Sequence, residues 1–132
     1  MTYVNRILIV DDEKPISTLL AQTFEQEGFH VSNADNGIDC MNKMSSFQPH
    51  VVVMDIMMPK LDGVDTTRLI RRNQSYGNTI IVALSAKADE ETRQKMKDAG
   101  ANLFMRKPFV IAKLVERVGR MLEARSKTIR ED

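Results

Sequence analysis

Five short apolar runs, each followed by a longer amphipathic stretch, divide the 132 residues, and this alternation constrains the fold more than any other feature. The runs cover residues 7–10, 30–34, 51–54, 79–84 and 102–105. Enrichment of Val and Ile in the first, third and fourth predicts strands buried on both faces, as in a parallel sheet covered by helices. The run at 30–34 is more polar and suits an edge strand. Between and after the runs, apolar spacing predicts helices over residues 15–27, 37–45, 64–73, 89–99 and 110–124. The first places Ile16, Leu19, Leu20 and Phe24 on one face, the second Ile38, Met41 and Met44, and the third Val64, Leu69 and Ile70. The fourth has almost no apolar face beyond Met96 and Ala99, with Thr92 in support. A βα unit repeated five times predicts a doubly wound α/β domain with a parallel sheet.

Composition narrows the functional classes. Lys and Arg total 19 against 18 for Asp and Glu, so a net charge of +1 offers no electrostatic case for direct nucleic-acid binding or for an anionic membrane. The single cysteine, Cys40, excludes an internal disulfide framework, and with no His or Cys clustered near it a small packing residue is expected there. The first apolar run is too short for a signal peptide or a membrane span, and acids follow it. These features lead to an expectation of a soluble, cytoplasmic protein with one domain over residues 1–124. Residues 125–132 are polar and charged, and are read as a tail or the start of a linker.

The strand ends carry the chemistry. The first run, ILIV, stops at three acids, Asp11, Asp12 and Glu13. The third ends in Asp55, the fourth in Ser85 and Ala86, and the fifth is followed by Lys107-Pro108. In open α/β sheets, ligands sit outside the carboxyl ends of the strands at the topological switch point. With the order 2-1-3-4-5, known for one class of doubly wound sheet, strands one and three are neighbours there and Asp11, Asp12 and Asp55 meet. Each residue also has an ordinary structural alternative. Asp12 could cap the first helix, Asp55 could open a turn, and Ser85 could cap the fourth helix. Lys107 could be a solvated lysine, and Asp62-Gly63 reads as turn chemistry. Four coincidences on one sheet edge are harder to assign to capping than any one alone.

Three carboxylates in one site raise one another's pKa, and a hard divalent cation relieves the repulsion. An all-oxygen donor set with room for water suits Mg²⁺, and Mn²⁺ is admitted by the same donors. Lys107 adds fixed positive charge, so the site is prepared for a polyanion, most naturally a phosphoryl group. Asp55, alone on the central strand, is the candidate nucleophile, and its product would be an acyl phosphate.

The motifs VDDE at 10–13, MDIMMPKLDG at 54–63, ALSA at 83–86 and GANLFMRKPF at 100–109 follow in this order along the chain. Together they resemble the receiver domain of a two-component response regulator, over roughly residues 6–122. That resemblance implies a flavodoxin-like (βα)5 fold with strand order 2-1-3-4-5. It implies that Asp55 takes a phosphoryl group from a sensor histidine kinase, a histidine phosphotransfer protein or a small donor. Asp12, Asp55 and the backbone carbonyl of Met57 would hold Mg²⁺ directly, and Asp11 through water. Lys107 would pair with Asp55 and then with phosphoryl oxygens, and its bond to Pro108 is often cis in the family. The Ser85 hydroxyl and the Ala86 N–H would contact the phosphoryl group, and Ser85 with Phe104 would form the switch. Output would pass through the surface of the fourth helix, fifth strand and fifth helix, to an effector protein or a covalently linked output domain. The sparse fourth helix suits an element that moves.

Two departures from the family pattern stand out. The switch position holds Phe104, which lacks the hydroxyl of the frequent Tyr. Asn102, Leu103 and Lys113 occupy positions where acids support a salt-bridged dimer in some members. The competing reading is a Mg²⁺-dependent phosphatase or hydrolase working through an aspartyl-phosphate. Such enzymes place an Asp-x-Asp nucleophile motif on the first strand and carry a cap, whereas this chain has Asp11-Asp12 there and little length for one.

Overall fold

The computed structural model describes residues 4–131. Strands β1 (Arg6–Val10), β2 (His30–Ala34), β3 (Val51–Asp55), β4 (Ile80–Ser85) and β5 (Leu103–Arg106) alternate with helices α1 (Lys14–Gln26), α2 (Gly37–Phe47), α3 (Gly63–Arg72), α4 (Glu90–Ala99) and α5 (Ile111–Glu131). The strands form one parallel sheet in the order β2-β1-β3-β4-β5, as expected. A short 3₁₀ turn, Gln74–Tyr76, which apolar periodicity does not reveal, links α3 to β4.

Strand side chains alternate between the two faces, so each strand feeds two cores. Ile7 and Ile9 point with Val51, Val53 and Val82 toward Leu20 and Phe24 of α1 and Leu114, Val118 and Leu122 of α5. Leu8 and Val10 face the other way with Val52, Met54 and Ile81, toward Cys40 and Met44 of α2 and Ile70 of α3. A third, small cluster of Ile56, Ala83 and Met96 lies under α4. β1, β3 and β4 are almost wholly buried, whereas β2 is an edge strand with His30 exposed.

Two helix faces differ from the sequence expectation. Leu19 is 51% exposed and Ile38 is 52% exposed. In α1 the buried face is completed by the small residues Ser17 and Ala21, which rotates Leu19 outward. In α2 it runs through Gly37, Cys40 and Met44, and Ile38 lies about 120° from its centre at ~100° per residue. α5 starts one residue later than expected and runs past Ala124 to Glu131.

Beyond the carboxyl end of α4, one guanidinium ties several segments together. Arg71 of α3 donates to the carbonyls of Gly100 (2.9 Å), Tyr76 (2.9 Å) and Thr79 (2.8 Å) and to Asn102 Oδ1 (2.8 Å). Asn102 Oδ1 also accepts from the Ile81 N–H at 2.8 Å, so this position joins α3 to the sheet. At the amino end of the sheet, the Arg6 N–H donates to His50 Nδ1 at 2.8 Å. Among the described residues, no buried side-chain nitrogen or oxygen lacks a hydrogen-bond partner, and no helix is long and apolar enough to cross a membrane.

Candidate functional site

At the carboxyl edge of the sheet, β1 and β3 end side by side, with Val10 opposite Met54. Asp11 continues β1, its N–H bonded to the Ala34 carbonyl at 3.2 Å, and its side chain is buried. Asp55 closes β3 opposite Leu84 and is 4% exposed. Asp12, one residue further, faces solvent. One carboxylate oxygen from each of Asp11, Asp12 and Asp55 lies within 4.8 Å of the others. Asp12 does not cap α1, whose N-cap is Glu13 without a side-chain cap bond.

Lys107 reaches this cluster from the loop after β5. Its N–H donates to the Ser85 carbonyl at 2.8 Å, which ties the loop to the end of β4. The Lys107-Pro108 peptide bond is cis. The ammonium stands 3.3 Å from Asp11 Oδ2, 3.3 Å from Asp55 Oδ2 and 3.5 Å from Glu13 Oε1. Burial opposes its charge, but the carboxylates of Asp55 and Asp11 outweigh that and hold its pKa above the usual lysine value. Lys107 is therefore a fixed cation rather than a solvated one.

Burial acts the opposite way on Asp55. It raises the carboxyl pKa, Lys107 pulls it down and Asp11 pushes it up, and the net result is a pKa of about 6. Further contacts position this carboxylate. The Met57 N–H donates to Asp55 Oδ1 at 3.3 Å, so Asp55 also opens the turn that follows it. The Ile56 N–H bonds to the Leu84 carbonyl at 2.9 Å, and the Gly63 N–H to the Ile56 carbonyl at 2.9 Å. A Cβ on Gly63 would stand 2.7 Å from Ile56 Cα and 2.9 Å from the Asp55 carbonyl oxygen. Only glycine lets the start of α3 approach the strand end this closely. Asp62 caps α3 by accepting from the Asp65 N–H at 2.9 Å, in keeping with its turn-forming character.

Ser85 is fully buried, and its Oγ accepts from the Lys87 N–H at 3.0 Å. It does not cap α4, whose N-cap is Asp89. Ala86 and Met57 lie on the exposed rim, Met57 with 66% of its surface open. Phe104, opposite Ala83, is half-buried against Ile56, Ala83 and Met96, and the Arg93 guanidinium lies 4.7 Å from its ring centroid. Thus Asp11, Asp12, Asp55, Lys107 and Ser85 all reach one edge of the sheet, while Phe104 sits along β5 toward α4. Sequence reasoning assigned no role to Glu13 and only turn chemistry to Gly63. The third acid of DDE and the glycine of LDG were the available signals.

The donors are all oxygen, one carboxylate is open to water and one cation is already in place. That chemistry fits a hard divalent ion. A family model described as the response regulator receiver domain matches residues 7–119. The chain belongs to this family. Regulatory protein AtoC of Escherichia coli (strain K12) is 35% identical over 126 residues, a match covering 96% of this chain and 27% of AtoC. Transcriptional regulatory protein PrrA of Mycobacterium leprae is 34% identical over 123 residues, covering 93% of this chain and 52% of PrrA. This receiver domain therefore spans about half the length of PrrA and about a quarter of AtoC. Among solved structures, Vibrio cholerae chemotaxis protein CheY4 superimposes with a TM-score of 0.85 at 26% identity, covering 90% of this chain and 99% of that one. The receiver domain of sensor histidine kinase PA1611 from Pseudomonas aeruginosa, solved with a magnesium ion in its active-site cleft, gives 0.83 at 28% identity, covering 92% and 99%. Receiver domains are signalling domains rather than conventional enzymes, and the hydrolase alternative finds no support among these relatives.

Proposed function

We propose that Asp55 is the phosphoacceptor of this receiver domain and that Asp11, Asp12, Asp55 and the Met57 carbonyl hold Mg²⁺, or Mn²⁺ in its place. The observation carrying this reading is the meeting of three carboxylates within 4.8 Å beside an ammonium 3.3 Å from two of them. The metal, when bound, supplies charge neutralisation for the phosphoryl oxygens. An Asp55 oxygen forms the new P–O bond as the P–N bond to a donor phosphohistidine breaks, leaving an acyl phosphate and the donor's imidazole. Lys107 moves from Asp55 toward a phosphoryl oxygen while keeping Asp11. The Ser85 hydroxyl, which at present accepts from Lys87, has its own hydrogen to donate to the phosphoryl group, and the Ala86 N–H assists. Ser85 and Phe104 then reset the face of α4, β5 and α5.

The donor is a sensor histidine kinase or a histidine phosphotransfer protein in the cytoplasm. The recipient of the signal is an effector protein or an output domain joined near residue 125, where the receiver proper (1–124) passes into the polar segment 125–132. Relatives that extend well beyond the matched region support the linked arrangement.

Intact mass after incubation with acetyl phosphate tests this reading. One added phosphoryl group is expected, dependent on Mg²⁺ and absent in Asp55→Asn. If no adduct forms and beryllofluoride also fails to bind with Mg²⁺ present, the acidic cluster is not a phosphoryl site.

A further inference from the structure

α4 is held down by little apolar surface. Only Met96 and Ala99 are buried on it, and a groove of about 320 Å³ separates it from β5. Arg93, Met96, Lys97, Asn102, Leu103 and Phe104 are among the groove's lining residues. One long side chain crosses it. Arg93 lays its guanidinium over the Phe104 ring at 4.7 Å from the centroid, and its Nε makes a long 3.4 Å contact with the Ala88 carbonyl in the loop before α4. The same side chain thus touches the β4–α4 loop and β5 while being carried by α4 itself. Phe104 has no hydroxyl with which to hold a position by hydrogen bonding, and the Arg93 guanidinium is its cation–π partner. Its inner face meets Ile56, Ala83 and Met96.

We infer that Arg93 is a positioning residue for the switch, a latch that holds Phe104 and α4 in the resting arrangement and that must release when the Asp55 site is charged. This rests on the phosphoacceptor reading above. A stack that is lost on activation stabilises the resting arrangement only, and so opposes activation. Removing it shifts the resting population toward the arrangement that binds a phosphoryl group better.

The test is a Mg²⁺-dependent beryllofluoride titration read from backbone amide resonances around Asp55, on wild type, Arg93→Gln, Arg93→Lys, Phe104→Leu and the double variant R93Q/F104L, with the Phe104 ring resonances recorded in the three proteins that keep the ring. Gln keeps helix propensity and most of the stem but loses the cation, whereas Lys keeps a cation. Beryllofluoride affinity is expected to rise about two- to five-fold in Arg93→Gln, the range corresponding to a partly exposed cation–π contact. Arg93→Lys should stay near wild type, although it also lacks the Nε contact to Ala88. The Gln effect should vanish in the Phe104→Leu background, and the unliganded Phe104 resonances should shift toward their bound positions in Arg93→Gln alone. Unchanged or weaker binding by Arg93→Gln, an equal effect in Arg93→Lys, or an undiminished effect without the ring would each overturn the latch. Absence of beryllofluoride binding by wild type would instead remove the phosphoacceptor reading, and the latch with it.

Discussion

Asp55 sits in an environment that disfavours its own charge. Burial lifts its pKa to about 6, despite Lys107 at 3.3 Å. An unfolded chain releases that proton near pH 4. Between about pH 4 and 6 the folded domain therefore binds more protons than the unfolded chain, and stability falls as pH rises. The metal-free protein should lose on the order of 2–3 kcal/mol across this window. Asp55→Asn should remove that slope and raise the urea midpoint at pH 7, and Mg²⁺ should stabilise wild type more than the variant. A flat wild-type profile would show that Lys107 fully compensates the burial. At Gly63 a methyl group meets backbone atoms that cannot swing aside, so Gly63→Ala should cost about 1–3 kcal/mol in urea unfolding. The acids, Ser85 and Lys107 were legible because they interrupt apolar runs at strand ends. Glu13 was not, since an acid at a helix start reads as solvated until Lys107 arrives from the far end of the chain. Nor was Gly63, because its need is for space beside Asp55 rather than for a turn.

The helices show what periodicity resolves and what it does not. A buried stripe is set by where the helix axis lies over the sheet, and small residues can complete it. Ser17 and Ala21 therefore displaced Leu19, and Gly37 and Cys40 displaced Ile38. Leu19→Lys should change stability by less than about 0.5 kcal/mol, whereas Leu20→Ala should cost about 2–5 kcal/mol, as read from denaturant midpoints. Similar losses for the two would contradict this facing of α1. α4 is nearly without an apolar face, as its sequence predicts, and sparse burial gives it a low local opening free energy. Amide exchange over residues 86–99 should be faster than over β3 and β4, and should change when beryllofluoride binds. Identical exchange with and without it would show that α4 takes no part in the switch.

Across the whole molecule the two ends of the sheet respond to pH in opposite senses. At the amino end, burial first, and then the charges of Arg6 and Arg125, lower the pKa of His50. Its Nδ1 must stay unprotonated to accept from the Arg6 N–H. Stability from this end is present above about pH 6.5 and is lost as pH falls below it, because the unfolded chain then takes up the proton more readily. His50→Gln, which retains an acceptor but does not titrate, should flatten this loss without affecting the slope due to Asp55. The doubly wound class followed from the apolar runs, and the sheet order from the family resemblance. The tie between Arg6 and His50 did not, because it joins the starts of two strands that are distant in sequence and carries no local pattern.

The Arg71 anchor has a mechanical consequence. It grips Gly100, just past the last turn of α4, and the flanking Tyr76, Thr79 and Asn102, while the buried residues of the helix, Met96 and Ala99, both lie in its second half and its first turn buries none. A rod clamped at one end and loosely seated along its length swings rather than slides. Spin labels at Glu90 and Lys97 should accordingly record unequal excursions, larger at Glu90. The domain would then report its chemical state as an angle, with Gly100 as the fulcrum.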